Sequence, residues 1–497
     1  MNTSTKSRFY RIFEILPGLT VWLTFVLIIL LAWKLPKITS VFFILYAFYW
    51  ILKLFYLHFH LRSSFYKLRK NLKVNWLQEI GDAKEKIYHL VILPMYKEPY
   101  GVAEQTFQKL IAANYPMEKI IAVLATEENA GEKGREVAKQ IEKDFGDKFF
   151  KFLVTVHPAG LIGEIPGKGS NETWAAREVK LKIIDPLGLD YEHIVVSVFD
   201  IDTQIMPEYF GRLAYVFLNC ERPQRSSFQP TPFFLNNVYE ASIISRVMSF
   251  FPTFWQLMQQ SRFEQLSTFT SQAMPFKALV EVDFWDRDLV SEDSLIFWKF
   301  FLHYDGDWVV EPLHYSVSMD AIAAPTFWET AKNLYKQQRR WGWGSENIPY
   351  MLDGFVRNKK IPFRKKFFWT YIFVESFHSW ATAPFLLFLF SWLPLILGGY
   401  YFNSTILSFN LPSMMSLILN FSVIFIAASA ILSLTFLPPK PPWFKKRHYL
   451  VYLLQWALVP VLLIFWSGIP ALEAQTRLML GGKFRLGFWP TPKSRGD

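Results

Sequence analysis

A chain of 497 residues with one cysteine, Cys220, has no internal disulfide and no metal site built from several thiolates. It has no internal repeat and no low-complexity linker, so neither a solenoid nor a string of tethered modules describes it. No small-residue cleavage site separates the first long apolar run from the second, which speaks against a removable leader. The loop 399–410 carries no charge at all. Cations gather elsewhere: Lys6, Arg8 and Arg11 at the start, Arg62, Lys67, Arg69, Lys70 and Lys73 after the second apolar run, and Lys440, Lys445, Lys446 and Arg447 near the end. These groups beside apolar runs account for most of the net charge of +11, so a nucleic-acid partner is not expected.

Apolar and aromatic residues are plentiful, at 52% and 18% of the chain, with mean hydropathy +0.16. They are unevenly spread. Residues near 17–60 and 366–470 are strongly apolar, whereas 75–345 has the charge and Gly/Pro punctuation of a globular domain. The length also exceeds one ordinary soluble domain. A multi-pass membrane protein with a central globular domain follows. Leu19–Trp33 and Val41–Tyr56 fall just short of the ~20 residues that cross a bilayer, and flanking Tyr, Trp and Lys anchors extend them. Phe367–Leu397, Leu411–Leu437 and Tyr449–Ile469 are further candidates, the first with breaks expected at Pro384 and Pro394.

The expected location is the plasma membrane of a prokaryote, and the cations place the N-terminus, the globular domain and the 438–447 loop on the cytoplasmic side. Arg477, Lys483, Arg485, Lys493 and Arg495 put the tail there too. That conflicts with a single crossing by Tyr449–Ile469; a re-entrant hairpin broken near Pro460 or Gly468-Ile469-Pro470 is the other reading. The expected division is two membrane helices in 1–60, a globular domain in 61–330, interfacial helices in 331–365, a membrane block in 366–480 and a basic tail in 481–497.

From His89 onward short buried-strand patterns alternate with helical ones: strands at 89–94, 119–126, 150–156 and 193–199, helices near 102–113, 131–145 and 171–184. This predicts an α/β fold with a parallel sheet covered on both faces. Ligands of such sheets gather beyond the carboxyl ends of the strands. The loops there hold Glu98, Glu127, Glu128, Asp200 and Asp202.

Four short stretches carry chemistry. Asp200-Ile201-Asp202 follows a strand, so both carboxylates are expected on one side, able to hold Mg²⁺ or Mn²⁺ with water and phosphates completing the shell; the plainer reading is a helix cap. Gly167–Asn171 permits close backbone approach and sets Lys168 near a helix N-terminus, where a phosphate is welcome. It is not a Walker sequence, and its plainer reading is a turn with Asn171 as N-cap. Ser291-Glu292-Asp293 reads as an N-cap with two first-turn acids, and a carboxylate fixed there can accept a hydroxyl proton. Gln337–Trp341 is either part of an amphipathic interfacial helix, with Trp328, Trp343 and Tyr350, or a site where Arg340 binds a diphosphate and Trp341 stacks on a sugar. Glu375 and His378 are ionisable groups in an apolar segment, expected at the membrane interface.

In this order the motifs resemble the membrane-embedded branch of glycosyltransferase family 2, which includes cellulose, chitin and hyaluronan synthases, over about Leu90–Trp341 and the flanking apolar segments. Leu93–Glu98 is similar to the first nucleotide loop, Gly167–Asn171 to the Lys-x-Gly-Asn element, Asp200–Asp202 to the metal-binding pair, Ser291–Asp293 to Thr-Glu-Asp, and Gln337–Trp341 to Gln-x-x-Arg-Trp. The resemblance implies a GT-A type domain between two sets of transmembrane helices, with Asp200 and Asp202 holding Mg²⁺ or Mn²⁺ and Asp293 as general base beside Glu292. It implies that Pro94, Tyr96, Glu98, Lys168, Asn171 and Asp200 meet a nucleotide-diphospho-sugar, and that Gln337, Arg340 and Trp341 meet its diphosphate and the acceptor. The implied reaction is inverting hexosyl transfer to a growing glycan or lipid-linked acceptor.

Two departures stand out. The second strand ends in Ala125-Thr126-Glu127-Glu128 rather than an aspartate pair, so the base contact passes to Glu127. Two leading spans are fewer than cellulose synthases have, which leaves room for an accessory or export subunit. The alternatives are transfer of one sugar to a polyprenyl phosphate, which Gln-x-x-Arg-Trp argues against, and an inactive membrane scaffold or transporter component.

Overall fold

The computed structural model describes residues 7–487; Lys6, Lys493, Arg495 and the tail beyond Gly487 lie outside the described residues. Its centre is an eight-stranded sheet in the order β3-β2-β1-β4-β7-β6-β8-β5. The strands are β1 (Tyr88–Pro94), β2 (Ile120–Glu127), β3 (Lys151–His157), β4 (Ile194–Val198), β5 (Gln204–Ile205), β6 (Ser226–Phe234), β7 (Ala273–Pro275) and β8 (Val309–Met319).

β1 to β4 form the expected parallel half, with Leu90 level with Ile121 and Val91 level with Ser197. Every residue of β2 and β4 is buried, and both faces are covered. Val91, Leu93, Ala122 and Leu124 pack on one side against Phe107, Phe145 and Phe210. Leu90, Ile92, Ile121 and Val123 pack on the other against Ala175, Val179, Phe297 and Trp298. Burying one such side chain stabilises the fold by roughly 1.5–3 kcal/mol, so a continuous apolar run is stable only where helices cover both faces.

The other half corrects the all-parallel expectation. β7 pairs antiparallel with β4 and β6, and β5 pairs antiparallel with β8, while β6 and β8 run parallel. β5 and β7 are too short to show a period. β6 contains Pro230 and Pro232, which ordinarily argue against an interior strand. Its ladder with β8 shifts register between Gln229 and Thr231, and that irregularity accommodates the proline between them.

Four helices among the described residues are long and apolar enough to cross a membrane: Tyr10–Lys34, Pro36–Asn71, Ile406–Leu434 and Lys446–Leu480. Phe363–Phe388 and Phe390–Leu397 make a fifth as a pair bent by 45°. The bend lies between the two prolines proposed to cause it. Pro394 occupies the first turn of a short helix, where its missing N–H costs nothing. The second helix continues past residue 60 to Asn71, because Leu61 and Leu68 pack against Val247 and Phe250 of the Ile243–Gln260 helix. Lys446–Leu480 is one continuous helical run rather than a hairpin, with a tight turn at Gln455–Leu458 and a wide one at Ile464–Gly468. Glu375 is half-buried and accepts a 2.8 Å hydrogen bond from Lys53 of the second helix, while His378 meets Thr24 of the first at 2.9 Å.

Candidate active site

β4 delivers Asp200-Ile201-Asp202 to the carboxyl edge of the sheet. Ile201 turns into the core, and the chain bends back through a Thr203 N–H to Asp200 carbonyl bond of 2.8 Å into β5. The stretch is thus a turn and not a helix cap. Asp200 stays partly open and accepts from Thr270 Oγ1 at 3.2 Å. Asp202 is fully buried, and its Oδ2 accepts the Asp320 backbone N–H at 2.9 Å. Asn236 Nδ2 donates to both the Asp202 carbonyl and Asp320 Oδ1, each at 2.9 Å, which fixes this corner against the end of β8.

Among the described residues no three His, Cys, Asp or Glu side chains are grouped so as to hold a metal ion by themselves. Two hard carboxylates, with water and substrate phosphates supplying the remaining ligands, are nevertheless a fit for Mg²⁺ or Mn²⁺.

The helix Lys168–Val179 brings the cation. Its N-cap is Gly167, held at φ 149°, and not Asn171 as the sequence indicated. Asn171 is buried in the first turn and donates to the Ala125 carbonyl at 2.8 Å, which pins the helix to the end of β2. Lys168 Nζ then lies 2.9 and 3.0 Å from the two Asp293 carboxylate oxygens and 3.1 Å from Asp200 Oδ1. It is also 3.5 Å from Glu172 and 3.7 Å from Glu292. Burial disfavours the ammonium, but Asp200, Asp293, Glu172 and Glu292 together outweigh burial and hold Lys168 well above its ordinary range.

Gly169 is what lets this helix approach. A Cβ there would lie 2.9 Å from the Asp286 carbonyl oxygen and 3.1 Å from Glu292 Cβ. Gly169→Ala is therefore expected to push the two helix starts apart by a few tenths of an ångström. A misplacement of about 1 Å can cost about a hundredfold in a catalytic rate, so the smaller shift here is expected to lower any activity of the site by roughly a few-fold to tenfold with little loss of folding. Rates and melting temperatures measured on the same preparation check it, and equal activity in the variant would show the approach to be unnecessary.

Asp293 opens the helix Glu292–His303, with Ser291 in the N-cap position. Contrary to expectation, Ser291 makes no side-chain cap bond. Its hydroxyl donates instead to Glu346 Oε1 at 2.6 Å, joined by the N–H groups of Ser291 at 2.8 Å and Val290 at 3.0 Å. Trp343 Nε1 donates to the other Glu346 oxygen at 2.8 Å. Glu346, buried and just past the Gln337–Trp341 stretch, thereby fixes the turn that aims Asp293. Gln272 Nε2 holds the Asp293 carbonyl from the β7 side at 2.8 Å.

Burial, reinforced by the Asp293 charge and opposed by Lys168 and Arg340, pushes Glu292 up to about 7. Burial likewise drives Glu172 well above the carboxylate range. Both acids hold protons in the folded protein at pH values where the unfolded chain has released them. Their contribution to stability is thus present in full below 4.5, the ordinary glutamate value; that of Glu292 is lost as pH rises toward about 7, and that of Glu172 declines in the same direction. Melting temperature is expected to fall across that window, and Glu292→Gln to flatten the slope. A melting temperature independent of pH in the unaltered protein would contradict this.

At the β1 and β2 ends, Glu127 is buried, and burial followed by the nearby Glu98 charge raises its pKa. Glu98 Oε2 accepts the Tyr96 N–H at 2.7 Å, and Pro94 is level with Ala125. Glu128 turns away to accept the Ala159 N–H at 2.9 Å. Gln337–Trp341 lies in the helix Phe327–Gly342. Trp341 packs against Phe234 and Phe269, each with ring centroids at 6.1 Å, and the Arg340 charge reaches Glu292. Arg339 instead pairs with Glu473 at 2.7 Å, and Gln337 is half-buried.

The structure thus joins Lys168, Asp200, Glu292 and Asp293 directly, with Asp202 behind, Arg340 and Trp341 to one side, and Glu98 and Glu127 at the β1/β2 ends. Sequence reasoning missed Glu172, Asn236, Thr270, Asp320 and Glu346. Glu172 carried a usable signal, an acid one turn beyond Lys168 on the same helix face, and Glu346 carried another, an acid in a run rich in Trp and Gly.

No family model and no curated protein sequence matches the chain. Among solved structures it is similar to the mannosyltransferase PcManGT from Pyrobaculum calidifontis, in complex with GDP-Man and Mn²⁺, at 13% identity and a TM-score of 0.39, over 83% of this chain and 97% of that one. It is also similar to residues 1–349 of TarS from S. aureus in complex with UDP-GlcNAc, at 12% identity and a TM-score of 0.38, over 79% of this chain and 91% of that one.

Proposed function

We propose that the chain is a membrane-bound inverting glycosyltransferase that moves a hexose from a nucleotide-diphospho-sugar onto a growing glycan or lipid-linked acceptor. One observation carries the reading. Lys168 lies within 3.1 Å of both Asp200 and Asp293, so the carboxylate suited to a metal–diphosphate and the carboxylate suited to a base share one cation at the carboxyl edge of the sheet.

In this reading Asp293 accepts the proton of the acceptor hydroxyl while that oxygen attacks the anomeric carbon from the face opposite the diphosphate. The bond to the diphosphate breaks as the glycosidic bond forms, and the configuration inverts. Asp200 and Asp202 would hold Mg²⁺ or Mn²⁺, whose contribution is to neutralise charge gathering on the departing diphosphate. Arg340 donates to that diphosphate, Trp341 and Gln337 face the acceptor, and Glu292 orients Asp293. Pro94, Tyr96, Glu98 and Glu127 shape the nucleoside pocket, Asn171 setting its floor by tying the Lys168 helix to β2. The lipid bilayer anchors the enzyme, with the globular domain on the cytoplasmic side, and an accessory or export subunit is the protein partner this reading leaves room for.

The test is a panel of radiolabelled sugar nucleotides offered to the full chain in proteoliposomes with Mg²⁺ or Mn²⁺. Labelled glycan or glycolipid, formed with release of nucleoside diphosphate, is expected from one donor. Absence of both incorporation and nucleotide release with every donor would leave the scaffold reading standing.

A further inference from the structure

The helix Phe327–Gly342 does more than carry Gln337–Trp341. At 100° per residue, Glu329, Lys332, Asn333, Lys336 and Arg340 fall on one face about 100° wide. Against that face the loop Ala323–Pro325, just after β8, leaves a cavity of about 310 Å³ lined by Glu329, Lys332, Asn333 and Lys336. Small side chains and a proline form the loop wall, so the polar side chains lining the cavity come from the helix. They comprise two ammonium groups, one amide and one carboxylate. Lys332 is exposed and makes no ion pair among the described residues.

The cavity is placed where apolar and polar surfaces meet. Its helix is bound to the Lys446–Leu480 run by Tyr335 Oη donating to Glu473 at 2.7 Å, Arg339 pairing with Glu473 at 2.7 Å and Trp466 Nε1 donating to the Ala331 carbonyl at 2.9 Å. That run is long and apolar enough to span a bilayer. At the outer end of the helix Phe327 and Trp328 are exposed, the indole by 77%. Exposed aromatic rings beside lysines are an arrangement suited to lipid head groups. At the inner end the row reaches Arg340, whose charge acts on Glu292. Lys336 and Arg340 are about 6 Å apart along the axis, and Lys332 and Arg340 about 12 Å.

We infer that this cleft is the acceptor's entry site and binds the phosphate of a lipid-phosphate-linked sugar between Lys332 and Lys336. Asn333 adds an amide N–H to the phosphate. Glu329, one turn nearer Phe327 on the same face, repels a second phosphate on the lipid side. The lipid chain leaves past Phe327 and Trp328 into the bilayer. The linked sugar extends along the row toward Arg340 and Asp293. This rests on the glycosyltransferase reading and narrows its acceptor class to glycolipids.

The test uses the full chain and the double variant Lys332→Ala/Lys336→Ala. Each is placed in phosphatidylcholine nanodiscs that are undoped, doped with polyprenyl-phosphate-linked N-acetylglucosamine, or doped with phosphatidic acid. Retained lipid is read by native mass spectrometry. Transfer kinetics are measured with the polyprenyl-linked sugar and with an uncharged oligosaccharide. Slow donor hydrolysis without acceptor reports separately on whether the chain uses nucleotide sugars at all.

The expected result is retention of the polyprenyl-linked sugar by the unaltered chain and its loss in the variant. KM for that acceptor should rise roughly tenfold to a hundredfold, as for loss of hydrogen bonds to a charged group, with kcat and donor hydrolysis within about twofold. Equal retention by both proteins, or a KM rise that is the same for the uncharged oligosaccharide, would overturn the inference. So would phosphatidic acid retained through the lysines while the polyprenyl-linked sugar is not, which makes the cleft a bilayer head-group contact. If donor hydrolysis is absent from the unaltered chain, the glycosyltransferase reading fails, and the retention measurement still decides whether the cleft holds a lipid phosphate.

Discussion

Asp293→Asn is expected to reduce sugar transfer by about 10²–10⁴-fold, the range that removal of a general base produces, while leaving donor affinity within a few-fold. Asparagine keeps the size of the side chain but cannot take a proton. The fold around it should persist, because the Asp293 backbone carbonyl is held by Gln272 and the preceding turn is fixed by Glu346 rather than by Asp293 itself. Lys168 loses its closest partner yet retains Asp200, Glu172 and Glu292 nearby. The loss should therefore fall on kcat, with nucleoside diphosphate binding preserved. Initial rates with the active donor, set beside calorimetric binding of the nucleoside diphosphate, separate the two quantities. A variant that keeps more than about a tenth of the rate would remove Asp293 from the role of base and direct attention to Glu292, whose pKa burial pushes up to about 7.

What could be read from the sequence depended on whether a signal was local. β1, β2 and β4 are short runs buried on both faces, so their residues announce themselves one strand at a time. Asp200, Glu292, Asp293 and Lys168 each stand next to a strand end or helix start, where charged residues are conspicuous. The second half of the sheet gives no such signal. β5 has two residues, β7 has three, and β6 carries two prolines, so these strands exist through their neighbours rather than through their own pattern. Asn171 and Ser291 look like caps because caps are satisfied locally, yet each spends its side chain on a distant partner, Ala125 in one case and Glu346 in the other. Glu172 is the clearest loss. Its spacing one turn beyond Lys168 hints at a pair, but the burial of that pair comes from the packing of its helix against the Glu292–His303 helix.

That cluster makes Lys168→Met the most informative change for stability. Methionine fills the volume of the lysine stem without its charge. It would leave Asp200, Asp293, Glu172 and Glu292 facing one another with their shared cation gone. Breaking a fully buried ion pair from one side typically costs roughly 3–5 kcal/mol, and the partial exposure of Asp200 and Asp293 puts this change toward the lower end of that range. The folded variant can relieve the repulsion by binding protons that the unfolded chain does not need at the same pH. The raised pKa values of Glu172 and Glu292 therefore rise further on folding, and the variant's stability is greatest in acid and falls more steeply with rising pH than that of the unaltered chain. The deficit should accordingly shrink below the ordinary carboxylate range and widen toward neutrality. Thermal unfolding in one detergent across that pH window measures both slopes. Adding Glu172→Gln to the variant removes one of the buried carboxylates and is expected to restore part of the loss, so the two substitutions should be strongly non-additive. Parallel melting curves for Lys168→Met and the unaltered chain at every pH would mean that the lysine does not balance these acids, and the single-cation account of the site would have to be abandoned.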